Sequence, residues 1–167
     1  MIQLRDILES DLERIVELCQ DLEISQMTLN IPYPYKFEHA RFFYDNIVLG
    51  GKSRTYAIHL EGKLELIGII GINFNPTKAW VAEIGYWMGK DFRNKGYMTE
   101  ALRKVIEICF SEYKLVRVCA CHDPINPGSG IVMLKAGMEY EGITKFAAMK
   151  DGLYRDLAYY SIINSNA

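Results

Sequence analysis

In the stretch DFRNKGYMTEAL (91–102), Arg93 and Lys95 precede a lone glycine, Gly96, and an amphipathic pattern starts directly after it. Glycine lets an anion come close to the backbone. The first turn of a helix adds unpaired N–H groups and partial positive charge, so this arrangement can hold a phosphate. A plain helix start is the other reading, and Glu100 suits it because a first-turn carboxylate complements the helix dipole. On these residues alone both readings stay open. GGKS (50–53) ends like a different phosphate loop, but that loop needs glycine five residues before Gly51, where Asn46 stands. No G-x-G-x-x-G follows any strand-like segment. CACH (119–122) invites a metal reading, yet no second Cys/His cluster completes a tetrahedral site, so the cysteines are expected to be structural and no metal is expected.

These residues need elements to position them. Met98, Ala101, Leu102, Val105, Ile106, Cys109 and Phe110 recur at helical spacing after Gly96. WVAEIGYWM (80–88) before the loop and LVRVCACH (115–122) after the helix read as strands, giving a parallel crossover. Ahead of them, RTYAIHL (54–60) and LELIGIIGINF (64–74) flank Glu61-Gly62-Lys63 as a hairpin. EGITKFAAM (141–149) and LYRDLAYYSII (153–163) flank Lys150-Asp151-Gly152 in the same way. The N-terminal third reads as a strand at 3–7, a helix at 10–22 with Ser10 and Glu13 spaced as a capping box, and a second helix over 37–48. A short helix is expected from Ser129 to a C-cap at Gly137. The prolines of NIPYPY (30–35) exclude helix there. The sum is a mixed α/β sheet with helices packed on it.

Length and composition agree with one domain spanning 1–167. Of the 167 residues, 50% are apolar and 24% charged, as in soluble globular proteins. A net charge of −2 offers no general attraction to nucleic acid or an anionic membrane. The run 66–74 is too short to span a bilayer, and the first ten residues carry charges unsuited to a signal peptide. A cytoplasmic protein is expected.

EIGYWMGKDFRNKGYMTEAL (83–102) resembles the acetyl-CoA signature of the GNAT N-acetyltransferases, and DPINPGSGIVMLKAGMEYEG (123–142) resembles the segment that follows it in that superfamily. IPYPY (31–35) and DGLYRDLAYYSII (151–163) are similar to the RimJ/RimL-type branch, which includes ribosomal-protein N-terminal acetyltransferases. The resemblance implies a twisted, mostly antiparallel sheet with one splayed parallel strand pair, flanked by helices. It also implies that the Gly96 loop holds the pyrophosphate of coenzyme A.

By the same resemblance, the loop residues Arg93, Asn94, Lys95, Gly96, Tyr97, Met98 and Thr99 bind cofactor. Ile84, Gly85, Tyr86, Trp87 and Met88 offer backbone bonds to the pantetheine arm and thioester. Asn126 matches the family asparagine on the cofactor arm, and Ser129 the serine three residues on. The chain departs from the family in three places. Met98 is bulkier than the usual last loop residue, Ile131 stands where a basic residue is common, and Met133 stands where many relatives carry a tyrosine general acid.

The implied reaction is attack of an amine on a thioester, with coenzyme A as product. A thiol with pKa near 8.5 is about one-tenth thiolate at pH 7.5, so it leaves without strong acid help, and Ser129 or water can supply the proton. An α-amine is roughly a quarter neutral at that pH and a lysine only about 0.1%, so an N-terminal amine needs little help from a base. Glu83 is the expected base; its alternative is a carboxylate paired with a sheet neighbour. Tyr33 and Tyr35 are expected either at the substrate-side lip of the cleft or as core plugs. Trp80 and Trp87 are expected to pack, and Arg155 and Asp156 to pair on the surface. No cysteine sits at a family nucleophile position, which favours direct transfer in a ternary complex. The leading acceptor is a protein N-terminus, that of a ribosomal protein included; small amines such as polyamines, aminoglycosides or amino acids are the alternative. A non-catalytic acyl-CoA sensor is the rival from another class, and either a monomer or a homodimer is compatible with the sequence.

Overall fold

The structure is a computed structural model describing residues 1–165; Asn166 and Ala167, the end of the expected 1–167 domain, lie outside the described residues. In chain order the elements are β1 (Ile2–Asp6), α1 (Leu12–Leu18), α2 (Leu22–Met27), α3 (Phe37–Phe43), β2 (Ser53–Leu60), β3 (Leu66–Phe74), β4 (Val81–Met88), α4 (Tyr97–Ser111), β5 (Arg117–His122), α5 (Pro127–Lys135), β6 (Glu139–Lys150) and β7 (Leu153–Ile163). The strands form one seven-stranded sheet in the order β1-β2-β3-β4-β5-β7-β6. Every pairing is antiparallel except β4–β5, the crossover through α4, so the expected mixed architecture stands. No helix among the described residues is long and apolar enough to cross a membrane.

Alternation along β4 divides the molecule into two layers. Ala82, Ile84, Tyr86 and Met88 turn to a core shared with Met98, Ala101, Leu102 and Val105 of α4 and with Met133 of α5. Trp87 turns to the opposite core, built with Ile15 of α1, Ile24 of α2 and Ala40 of α3. Glu83 and Gly85 share that second face, and both are exposed.

Three local readings are corrected. The helix expected at 10–22 is two helices, α1 and α2, because the chain turns at Cys19–Gln20 and Asp21 recaps it, its side chain accepting from Glu23 N–H at 3.1 Å. The first of them has no Ser10–Glu13 capping box. Instead Asp11 accepts from Leu8 N–H at 2.8 Å and from both terminal nitrogens of Arg5 at 2.7 Å. Arg155 and Asp156 do not pair, since neighbours in a strand face opposite ways. Arg155 lies 3.5 Å from Asp123, and Asp156 accepts from Phe146 N–H at 2.9 Å. Trp80 is 53% exposed rather than packed. After α3 the chain continues as a π-helical segment, Tyr44–Val48, so the helical span 37–48 is as expected.

Candidate active site

β4 lies beside β5 only through Val81–Glu83, opposite Arg117–Cys119. Beyond Glu83 the two strands part while β4 stays paired to β3 as far as Met88. Val81 carbonyl accepts from Asn75 N–H at 3.1 Å, and Gly89 N–H donates to Ile67 carbonyl at 2.9 Å. Odd-numbered positions of β4 therefore turn their backbone groups to β3, and Ile84 and Tyr86 turn theirs into the gap toward β5. These are the unspent N–H and C=O groups that an amide-bearing chain can use. Met88 carbonyl, next in the row, accepts from Arg93 Nε at 2.9 Å.

The gap leads to the Gly96 loop. Gly96 caps α4 with φ +80°, and Asn94 also has positive φ, 60°. A Cβ on Gly96 would touch nothing, so glycine is required there by backbone conformation. Glu100 turns away to accept from Ile2 N–H at 3.1 and 3.2 Å, which leaves the first-turn amides of α4 without a carboxylate of their own. Met98 is buried in the core, so its bulk does not obstruct the loop. The guanidinium of Arg93 is committed elsewhere, to Asp21 Oδ2 at 2.7 Å and Glu23 Oε2 at 2.5 Å. Lys95 is exposed and is not part of the cavity lining.

A cavity of about 1220 Å³ joins this loop to the N-terminal helices. Asn94, Gly96, Tyr97, Met98 and Thr99 line it together with Ile84–Met88 (84–88), Asn126 and Ser129; Thr28, Ile31, Tyr35 and Phe42 line its other side. Its floor crosses three strands. Thr55 stands opposite Gly71, Gly71 opposite Gly85, and Asn73 opposite Glu83, so small side chains give the floor its depth beside the carboxylate. Tyr35 is buried and also belongs to the second core, with burial raising its phenol pKa; Tyr33 is 52% exposed and outside the lining.

Glu83 makes no hydrogen bond or ion pair to other described residues. It is open to the cavity yet surrounded by protein, and this desolvation pushes its pKa up. Cys119 and Cys121 share its face and have thiol pKa values raised by burial, Cys121 to about 12, which keeps them protonated. Glu23 and Asp123, the other carboxylates in the lining, are paired with Arg93 and Arg155.

Across the gap, Asn126 caps α5 by accepting from Ser129 N–H at 3.3 Å. Tyr86 Oη lies 3.0 Å from Ser129 Oγ and donates to Ser129 carbonyl at 3.2 Å, with burial raising its pKa. Its phenol is a hydroxyl that sequence reasoning passed over, having counted Tyr86 only for its backbone. The alternation that faces Tyr86 toward α5 was the available signal. Met133 is buried in the core, and Ile131 is 52% exposed at the cavity wall.

A splayed parallel pair, a left-handed glycine capping the following helix and a cavity meeting both bring an open strand edge and a helix start to one space. The chain matches the acetyltransferase (GNAT) domain family over residues 2–139 and belongs to that family. It is 40% identical, over 59% of its length, to YdaF of Bacillus subtilis (strain 168), whose name describes a candidate ribosomal N-acetyltransferase; that match spans 54% of YdaF. The chain thus spans about half the length of the curated relatives it first matches. It is 28% identical to the ribosomal-protein-serine acetyltransferase of Escherichia coli (strain K12), covering 97% of this chain and 92% of that one. An acetyltransferase (GNAT family) from Bacillus anthracis superposes with a TM-score of 0.87 at 28% identity, covering 97% and 94% of the two chains. The similarity to ribosomal-protein acetyltransferases supports the RimJ/RimL-type branch.

Proposed function

We propose that this protein is an acetyl-CoA-dependent N-acetyltransferase whose acceptor carries a single primary amine, with a protein N-terminal α-amine as the leading class. The observation that carries the reading is Glu83, a carboxylate without a partner among the described residues, in the wall of a cavity that also receives the splayed edge of β4. The fit to acetyl-CoA rests on the open backbone groups of Ile84 and Tyr86 for the pantetheine arm, and on the amides around Gly96 for the pyrophosphate. When bound, acetyl-CoA supplies an activated thioester. Glu83 accepts a proton from the incoming ammonium, directly or through water, and its raised pKa brings its basicity closer to that task. Ser129 and Tyr86 hold a hydroxyl pair on the far side of β4, where a proton can be delivered to a departing thiolate.

The ionic lining favours a monoamine over a polyamine. Of the carboxylates lining the cavity, Glu23 and Asp123 are already neutralised by arginines, so a polycation would meet one available carboxylate. Apolar groups at the same wall, including Leu29, Phe42 and Ile47, suit the body of a peptide better than a chain of ammonium groups. The test is thiol release from acetyl-CoA with peptides beginning in Ser, Ala or Thr, internal-lysine peptides, spermidine, aminoglycosides and free amino acids. Release with N-terminal peptides and not with spermidine is expected. Spermidine as the best acceptor would overturn the monoamine reading, and binding of acetyl-CoA without release on any amine would favour a sensor.

A further inference from the structure

Lys150 ends β6, yet it is only 8% exposed, and its ammonium reaches across the molecule to the segment after α2. It donates to the carbonyl of Ser25, to that of Thr28 at 2.6 Å and to that of Ile31 at 3.0 Å. Main-chain oxygens, rather than a carboxylate, hold this cation. Burying a charge in this way is costly unless its hydrogen bonds are well met, and here they tie together positions on either side of a turn. Ser25 Oγ adds a bond to Ile31 carbonyl at 2.8 Å, and Thr28 Oγ1 one to Ile24 carbonyl at 2.7 Å. The segment wrapped around the ammonium, 28–32, lines the cavity that Glu83 also lines. The other end of α2 is fastened by Arg93 through Asp21 and Glu23.

We propose that Lys150 is a positioning residue for the acceptor: by gathering the carbonyls of Ser25, Thr28 and Ile31 it fixes the cavity wall formed by 28–32. Its consequence for turnover rests on the acyltransferase reading above; its consequence for the wall does not. In that reading acetyl-CoA is held by β4, the Gly96 loop and α5, none of which supplies a carbonyl to this ammonium, so cofactor affinity should respond far less than acceptor affinity.

The test compares Lys150→Met and Lys150→Arg with the parent protein. Hydrogen exchange is followed in peptides covering 24–32 without ligand, and KM is measured for acetyl-CoA and for the best acceptor of the panel. Lys150→Met should speed exchange in 28–32 about tenfold or more. It should raise acceptor KM about tenfold while acetyl-CoA KM stays within about twofold. Lys150→Arg should recover part of both effects, since a guanidinium still donates to several carbonyls. Unchanged exchange in folded Lys150→Met, or an acetyl-CoA KM that moves as far as the acceptor KM, overturns the proposal, as does a variant that loses only thermal stability. If Lys150→Met does not fold, Ser25→Ala removes the bond to Ile31 carbonyl and should give a smaller rise in exchange over 28–32; no rise there overturns it too. If no amine is acetylated, the functional reading falls and the exchange result still decides the role of Lys150.

Discussion

Tyr86 and Ser129 meet through their hydroxyls at 3.0 Å, joining β4 to the first turn of α5 across the gap where β5 has moved away. Met133 occupies the position at which the family resemblance led one to look for a phenol and is buried in the core; Tyr86 supplies a phenol from a different element. Its burial-raised pKa keeps it protonated through the neutral range, hence a donor. Tyr86→Phe should lower kcat by about 10²-fold, the low end of the usual scale for one acid–base group, with little change in acetyl-CoA KM. Steady-state kinetics decide this, and an unchanged kcat would leave Ser129 or water as the proton source.

Glu83→Gln should reduce kcat/KM by about 10²-fold or more and remove the acidic limb of its pH profile. In the parent, desolvation raises this carboxyl's pKa, so the base is lost by protonation as pH falls through that raised value. The same shift predicts the sign of a stability effect. A carboxylate with a higher pKa folded than unfolded destabilises the fold increasingly as pH rises through those values. At pH 7 the glutamine variant should therefore melt higher than the parent, a trade-off expected of a site that keeps a charge ready for use. A lower melting temperature would mean that Glu83 has a structural partner.

Gly96→Ala tests the loop through backbone strain alone, because a Cβ there would touch nothing but must accept φ +80°. A left-handed alanine costs about 1–2 kcal/mol. The loss should appear both in thermal stability and in coenzyme A affinity measured by calorimetry, since relieving the strain moves the amides that frame the anion site.

Gly85 separates two ways of filling the floor of the cavity. A Cβ there would have Asn73 Nδ2 at 3.8 Å, an ordinary contact, so Gly85→Ala should fold normally. A longer side chain projects from the same row as Glu83 into the cavity, and Gly85→Leu should raise acceptor KM or abolish turnover without lowering the melting temperature by more than a few degrees. Equal activity of the two variants would place the acceptor elsewhere.

The parts of this molecule that could be read from the chain are those set by local rules. Asp151 and Gly152 both take positive φ, as the turn after Lys150 required, and the β6–β7 hairpin follows. The helical spacing after Gly96 gave α4, and strand–helix–strand gave the parallel pair. What escaped depends on partners far away in sequence. Lys150 was read only as part of a hairpin turn, because the oxygens that bury it are main-chain groups 119 to 125 residues distant. Arg93 was read as a residue of the cofactor loop, and nothing local announces that its guanidinium pairs with Asp21 and Glu23, 72 and 70 residues earlier. Glu83 was singled out, but whether a neighbour would neutralise it is a question of three-dimensional packing that strand alternation alone does not answer.

The separation of β4 from β5 after Glu83 carries one further consequence. A sheet that stops short of closing its own ladder keeps a gap between two strands in its interior, flanked by backbone that an outside amide can complete. A pantetheine arm lying there would act as an inserted rung, and the enzyme's rigidity would become a function of its substrate supply. At cofactor concentrations a hundredfold above Kd, mass action predicts about 2.7 kcal/mol of added stability. The protein would then register its cell's acetyl-CoA level in its own melting temperature before any amine arrives.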